Sequence, residues 1–409
     1  MNMKILHTAD WHLGKRLESF SRFQEQIEVL NEICEITERE NIDAVIISGD
    51  LFDTFSPPIE AVELFYKTLK RLANNGKRAV IAIAGNHDSP ERIEAPDPLA
   101  RECGIIFAGF PNTTVVPFKL EGGINVSKSD KGFVEIYLPN ISFPLRLILT
   151  PYANEIRLKT FLGIEDPEAE LRNVLASQWQ GIADKYCDEK GVNILSAHLY
   201  MMKKGGIAPE EPEDEKPINI GGAQVVYTEN IPKQIQYVAL GHLHRKQLVD
   251  SIPCPVFYSS SPLAYSFSEA NQEKYVIKID IEPGASAKFE EIPLSKGRKL
   301  LRNEFDNIDK AVAWLLMNQE SLIELTIVSD TFLTADERGR LYGSHSGIIN
   351  IIPVVTNVDS MEDNATNIDI TKNIEDLFID YFKYRNGGQT PNDRITKLFK
   401  EVLATEEEI

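Results

Sequence analysis

Cysteine, histidine and positive charge are all scarce in this sequence, and each scarcity narrows what the chain can be. Its four cysteines, Cys34, Cys103, Cys187 and Cys254, lie far apart and form no C-x-x-C pair; they read as reduced, mostly buried thiols. The sequence has no run of about 18 apolar residues, which argues against a membrane span. The opening Met1-Asn2-Met3-Lys4-Ile5-Leu6-His7 lacks the apolar core of a signal peptide, so the expected location is the cytoplasm. There is no phosphate-cradling P-loop and no nucleophilic serine or cysteine motif. With 43 basic against 62 acidic residues the net charge is −19, which leaves little general attraction to a polyanion. Binding one would need a local patch, and Lys15, Arg16, Arg92, Lys203, Lys204, Arg245 and Lys246 lie beside the motifs described below. Composition alone reads them as ordinary solvated charges.

What is present is an α/β rhythm, and 409 residues suggest two or three domains. Apolar runs end at Leu6, at Ser48 after Ala44-Val45-Ile46-Ile47, at Ala84 after Val80-Ile81-Ala82-Ile83, and near Leu195 and Leu240. Short runs rich in Ile and Val predict strands buried on both faces. One helix is expected over residues 20–40, with Phe23, Ile27, Leu30 and Cys34 on one stripe. Another is expected over 59–73, introduced by Ser56-Pro57-Pro58. It is apolar on more than one face, which suits either a deeply buried helix or one with both a core and a partner surface. The Gly- and Pro-containing acidic stretch 203–222 predicts an exposed loop. After a break at Pro283-Gly284, one helix over 309–318 is flanked by strands over 299–305 and 322–328, with a further apolar run over 348–355. The expected domains are 1–283, a smaller α+β domain over 284–370, and a tail over 371–409. In the tail, Ile374, Leu377, Phe378, Tyr381 and Phe382, then Ile395, Leu398, Phe399, Val402 and Leu403, predict two short amphipathic helices separated by Asn386-Gly387-Gly388.

Each of the five strands is followed at once by side chains that can bind metal. They are Asp10 and His12; Asp50 and Asp53; Asn86, His87 and Asp88; His198; and His242 and His244. Five of the seven histidines sit at these strand ends. Ligands of α/β sheets bind beyond the carboxyl ends of the strands, so these loops can converge. Two divalent ions about 3.5–4 Å apart can clamp a phosphate and activate water between them. Mixed imidazole, carboxylate and amide ligation suits manganese, iron or zinc better than magnesium or calcium. Any one motif is weak by itself; five in order, each capping a strand, point to a metallophosphoesterase. His7 is assigned to packing or to supporting a ligand, and His345 to the surface.

The ordered set D-x-H, G-D-x-x-D, G-N-H-D, H and G-H-x-H resembles the calcineurin-like metallophosphoesterase superfamily. The flanks narrow the resemblance to its SbcD branch. They are His7-Thr8-Ala9-Asp10-Trp11-His12-Leu13-Gly14, Gly49-Asp50-Leu51-Phe52-Asp53, Gly85-Asn86-His87-Asp88-Ser89-Pro90-Glu91-Arg92, and Tyr237 through Arg245. Tyr258-Ser259-Ser260-Ser261-Pro262 and Tyr265-Ser266-Phe267-Ser268-Glu269 follow the same pattern, except that the family has glycine where this chain has Ser260. The likeness is strong over residues 3–300 and faint beyond.

That resemblance implies a sandwich of mixed sheets flanked by helices, with a smaller capping domain that binds DNA. It implies that Asp10, His12, Asp50 and His244 hold one metal and that Asp50, Asn86, His198 and His242 hold the other. His87 would be the catalytic residue, contacting the scissile phosphate or protonating the leaving oxygen. It further implies manganese-dependent exonuclease and endonuclease action on DNA ends and hairpins; Lys15, Arg16, Arg92 and Arg245, because they adjoin the catalytic motifs, are the expected DNA contacts. The implied partner is an SbcC-like SMC ATPase, two copies of each chain, gripped by the terminal helices. A homodimer through helices 59–73 and 91–103 and association with the nucleoid complete the expectation. The rivals are another phosphoesterase of the same fold, since fold does not fix substrate, and a non-catalytic scaffold, which would have no need of so complete a ligand set.

Overall fold

Two mixed sheets, each apolar on both faces, force the layered architecture. The structure, a computed structural model, describes residues 2–160, 166–209, 225–355, 374–385, 390–391, 395–397 and 399. It divides into two compact units, Met1–Ile327 with Thr334–Ile352, and Val328–Leu333 with Pro353–Ile409.

In the first unit, β1 (Met3–Thr8), β2 (Ala44–Ser48) and β3 (Ala79–Ile83) run parallel with Ile105–Ala108. The antiparallel strands Tyr275–Ile281 and Lys288–Pro293 extend this six-stranded sheet beyond β1. An eight-stranded sheet is centred on β4 (Val192–His198) and β5 (Tyr237–Gly241), which are parallel to each other and flanked by Leu145–Thr150 and Val256–Tyr258. Successive side chains on a strand point to opposite faces, so each run of Ile and Val feeds two cores. Ile5, Ala44, Ile46 and Ile81 meet Leu147, Ile194 and Ala239 between the sheets. The other faces, Leu6, Val45, Ile47 and Val80, pack under α1 (Phe23–Arg39) and α2 (Ile59–Ala73) through Leu30, Ile33, Phe65 and Leu69. On the far side Leu195, Ala197, Val238 and Leu240 lie under α3 (Pro167–Tyr186) through Leu171, Leu175 and Trp179. Each fully buried Val, Leu, Ile or Phe among these contributes about 1.5–3 kcal/mol.

α2 buries one face only: Ala61, Phe65, Leu69 and Leu72 are covered, Val62 and Tyr66 are half-buried, and Ile59 is 83% exposed. The helix ends at Asn74, in the left-handed region at φ 46°. The single helix expected over 91–103 is two short ones, Pro90–Glu94 and Asp97–Arg101. Pro96 and Pro98 mark the break, because neither has an N–H to donate to the preceding turn, and Pro96 itself leaves the helical region as the cap of the second helix.

Residues 299–355 form a three-stranded sheet, Lys299–Phe305, Ser321–Ser329 and Ile348–Val355, with Ser321–Ser329 central. One helix is expected here, and two are found, Ile308–Met317 and Ala335–Ser344. The second buries only Leu341, so its apolar period is faint; its legible signal is the capping box of Thr334 and Glu337. His345, expected at the surface, is buried: its Nε2 lies 2.9 Å from the Asn318 carbonyl and its Nδ1 accepts from Gly347 N at 2.9 Å. Local sequence carries no trace of that tertiary pairing.

In the second unit the tail helix Ile374–Arg385 carries Phe378, whose ring stacks on Phe399 at 3.9 Å between centroids and 8° between planes. Leu398, Val402 and Leu403, expected on the second tail helix, lie outside the described residues, as does most of 203–222. Among the described residues no helix is long and apolar enough to cross a membrane.

Candidate metal centre

The loops after β1 to β5 meet, and they bring together all seven residues expected to bind metal. Asp10, His12 and His244 form one group and Asp50, His198 and His242 another; within each group the candidate ligand atoms lie within 4.8 Å of one another. Asp50 Oδ2 stands 3.5 Å from His12 Nε2 and 3.4 Å from His198 Nε2, so it faces both groups. Asn86 Oδ1 closes the second group, 2.9 Å from both His198 Nε2 and His242 Nδ1. In the first, His12 Nε2 and His244 Nε2 face each other at 2.9 Å.

The backbone is bent to achieve this. Asp10, His12, Asp50 and His242 have φ of 56°, 43°, 48° and 109°. Side chains rarely adopt that region, and residues held there cost on the order of 1–3 kcal/mol each. Gly49, at φ +94°, makes the turn into Asp50. At Gly85 the requirement is space, because a Cβ would stand 2.1 Å from Asp50 Oδ1. Asp88 then pins two loops at once: its carboxylate accepts from Leu51, Phe52 and Gly85 main-chain N–H groups at 3.0, 3.0 and 2.8 Å. The buried Arg157 donates to the Gly85 and Asp88 carbonyls at 2.7 and 2.8 Å, clamping the same loop from the other side.

The tautomers are set from outside the ligand ring. His198 Nδ1 donates to the Ser48 carbonyl at 2.8 Å, and a carbonyl can only accept. His198 Nε2 therefore turns toward Asn86 Oδ1 and Asp50, both acceptors. Such a meeting of lone pairs is satisfied by a proton or by a cation. Burial opposes charge on His198, but Asp50 and Asp10 outweigh it and push this imidazole up to about 9. Burial likewise works against the Asp50 carboxylate, and His198, His12 and His87 overcome it and hold its pKa well below the ordinary range. Asp10 Oδ2 and His12 Nδ1 are buried with no hydrogen-bond partner among the described residues. Anionic, acceptor-rich and partly unsatisfied, the donor set fits two divalent cations of the borderline class.

His87 stands beside the ligands. Its main-chain N donates to Asp50 Oδ1 at 2.9 Å and its Nδ1 lies 2.8 Å from the Asp53 carbonyl. With His12 and Asp53 it forms a third group of potential ligands. Of the basic residues, Lys15 is drawn to the centre, 3.6 Å from Asp53 Oδ1. Arg16, Arg92 and Arg245 are exposed, while Lys203 and Lys246 are paired with Asp250 and Glu291.

The family profile of the calcineurin-like phosphoesterases matches residues 3–246. The SbcD subunit of the SbcCD nuclease from Bacillus subtilis is 36% identical over 99% of both chains. This chain belongs to the SbcD family. The Escherichia coli relative of the same name is 29% identical over 81% of this chain and 79% of its own. Where the SbcD pattern has glycine, Ser260 sits buried at φ +84° and its Oγ accepts from Tyr275 N at 3.0 Å, a tie to the next strand that glycine cannot make. In the S-F-S-E stretch shared with SbcD, Glu269 is the residue that the ligand pattern alone overlooks. Fully buried, it faces His244 Nδ1 at 3.2 Å, accepts from Tyr265 N at 3.0 Å and pairs with Lys274. Lys274 in turn donates to the His244 carbonyl at 2.9 Å.

Proposed function

We propose that this chain is the nuclease component of an SbcCD-type complex, hydrolysing DNA phosphodiester bonds at two divalent ions, with manganese the favoured one. The observation that carries the reading is Asp50 facing two ligand groups at nearly equal distance. Asp10, His12, His244 and Asp50 would hold one ion, and Asp50, Asn86, His198 and His242 the other. Bound there, such ions polarise a phosphate and lower the pKa of water. The protein's part is to orient. The Ser48 carbonyl fixes His198, Glu269 fixes His244, and Asp88 with Arg157 holds the loop that carries Asn86. His87, with Nδ1–H donated to the Asp53 carbonyl, keeps Nε2 to contact the scissile phosphate or to protonate the leaving oxygen.

The half-exposed face of α2, with Ile59 at 83% exposure, and Leu99 at 77% on the helix Asp97–Arg101, support a homodimer through residues 59–73 and 91–103, and with it a heterotetramer with two SbcC-like ATPase chains. Residues 284–370 would cap the site and contact DNA, and 371–409 would dock the ATPase through Ile395, Leu398, Phe399 and Val402, the i, i+3, i+4 and i+7 positions of the second expected tail helix. Lys15, Arg16, Arg92 and Arg245 supply a local patch on an acidic body. Neutralising two of them is expected to flatten the salt dependence of DNA binding by about 0.9 in slope per lost phosphate contact. The deciding assay compares linear duplex, hairpin DNA and a chromogenic phosphodiester with manganese. Cleavage of DNA supports the reading; cleavage of the small ester alone makes this a small-molecule phosphodiesterase; cleavage of none makes it a scaffold.

A further inference from the structure

A cavity of about 440 Å³ adjoins the metal centre on its Asn86 side, lined by Phe55, Phe110, Tyr152, Arg92, Arg157 and Asn86 itself. That volume lies within the range of roughly 300–1,000 Å³ typical of small-molecule sites. Its aromatic walls are held in place. Tyr152 follows the strand Leu145–Thr150, and its main-chain N donates to the Ala84 carbonyl at 2.9 Å. Its ring lies 5.1 Å from the Arg157 guanidinium, which is itself fixed by the Gly85 and Asp88 carbonyls. The Phe110 ring has Lys159 at 5.4 Å. Phe55 stands at the rim, 57% exposed. Glu91, also on the wall, offers a carboxylate acceptor to an amine-bearing edge.

We infer that this cavity is a nucleobase subsite, seating the base next to the scissile phosphate on Tyr152 and Phe110; the inference rests on the nuclease reading and deepens it. A strand whose phosphate lies between Asp50 and Asn86 places its flanking nucleotide within reach of these rings. Stacking on an aromatic face is tolerant of sequence because every base has a π-face, so the subsite holds a strand without selecting a sequence. A base paired within a duplex cannot enter, so the substrate must be single-stranded or frayed at that position.

The test uses the full-length chain with manganese and single-stranded phosphorothioate oligonucleotides, which resist cleavage, carrying 2-aminopurine at successive positions. Binding is expected to quench one position most strongly. Tyr152→Leu with Phe110→Leu should restore fluorescence there and weaken binding by about 5- to 100-fold, whereas Tyr152→Phe should keep the quench. An oligonucleotide lacking the base at that position should bind wild type and the double variant alike. Uniform quenching along the strand, or a base-free oligonucleotide that weakens as much in the variant as the intact one, would overturn the subsite, since Tyr152 would then act only by supporting its loop. Cleavage is measured separately on ordinary DNA. Its absence in the wild type removes the nuclease reading, while the binding data still judge the cavity.

Discussion

The two halves of the metal centre are oriented by different kinds of partner. His198 leans on a main-chain carbonyl, that of Ser48 in the neighbouring sheet. His244 leans on a side-chain carboxylate, Glu269, which is kept ionic by Lys274. A neutral carbonyl fixes the tautomer and raises the basicity of the imidazole only modestly. A carboxylate raises it more, and such outer partners tune metal affinity. The half built on main chain is thus tied to the fold of both sheets, whereas the half built on Glu269 can be adjusted by single substitutions. Burial acts against the Glu269 carboxylate, and Lys274 and His244 together reverse it, holding its pKa far below the usual range.

The largest effect is expected where the halves join. Asp50→Asn should lose both ions and all measurable turnover, read by metal stoichiometry beside the rate; two full sites with activity kept would mean the halves are independent. Next comes the residue that belongs to neither half. His87→Gln should keep both ions and lose about 10²–10⁴-fold in turnover, and loss of an ion would instead make His87 a ligand, joined to His12 and Asp53. The comparison itself is sharpened by Glu269→Gln. Affinity for one of two ions should fall about 10–100-fold while the other is unchanged, resolved by titration calorimetry with manganese; an equal loss at both would erase the distinction.

The effect that vanishes near neutral pH concerns a third kind of histidine, held neutral between the sheets. His7 Nε2–H donates to the Leu240 carbonyl at 3.0 Å and Nδ1 accepts from the Tyr237 hydroxyl at 3.1 Å. Burial, only partly offset by the Leu240 bond, lowers its pKa to about 3. Below the ordinary value of about 6.5 the unfolded chain takes up a proton that the folded chain refuses, so stability falls as pH drops from about 6.5 towards 3. His7→Gln should remove up to about 1.4 kcal/mol per pH unit of that slope, measured by urea unfolding at several pH values. Identical slopes in both proteins would assign the acid sensitivity to the metal ligands instead.

Much of the site is legible in the sequence because chemistry leaves its residue types at fixed places. The five strand ends, the ligand histidines and both carboxylates stand there as local motifs, and α2 is readable over its full span from apolar spacing. The burial of His345 and the roles of Glu269, Arg157 and Tyr152 are not legible, for one reason: they depend on partners distant in the chain or on backbone touched only in three dimensions. The helix Ala335–Ser344 escapes notice because it buries a single side chain and so shows no period.

By itself, then, the sequence determined the five strands that end in the site, their order along the chain and which side chains follow each of them, because burial on both faces demands apolar runs and ligation demands His, Asp and Asn at their ends. Only the tertiary structure decided that Asp50 faces both groups, which nitrogen of each imidazole is turned inward, and which aromatic rings stand beside Asn86. Those depend on how two sheets pack and on left-handed backbone at Asp10, His12, Asp50 and His242, a strain that local propensity disfavours and that only the assembled core can hold.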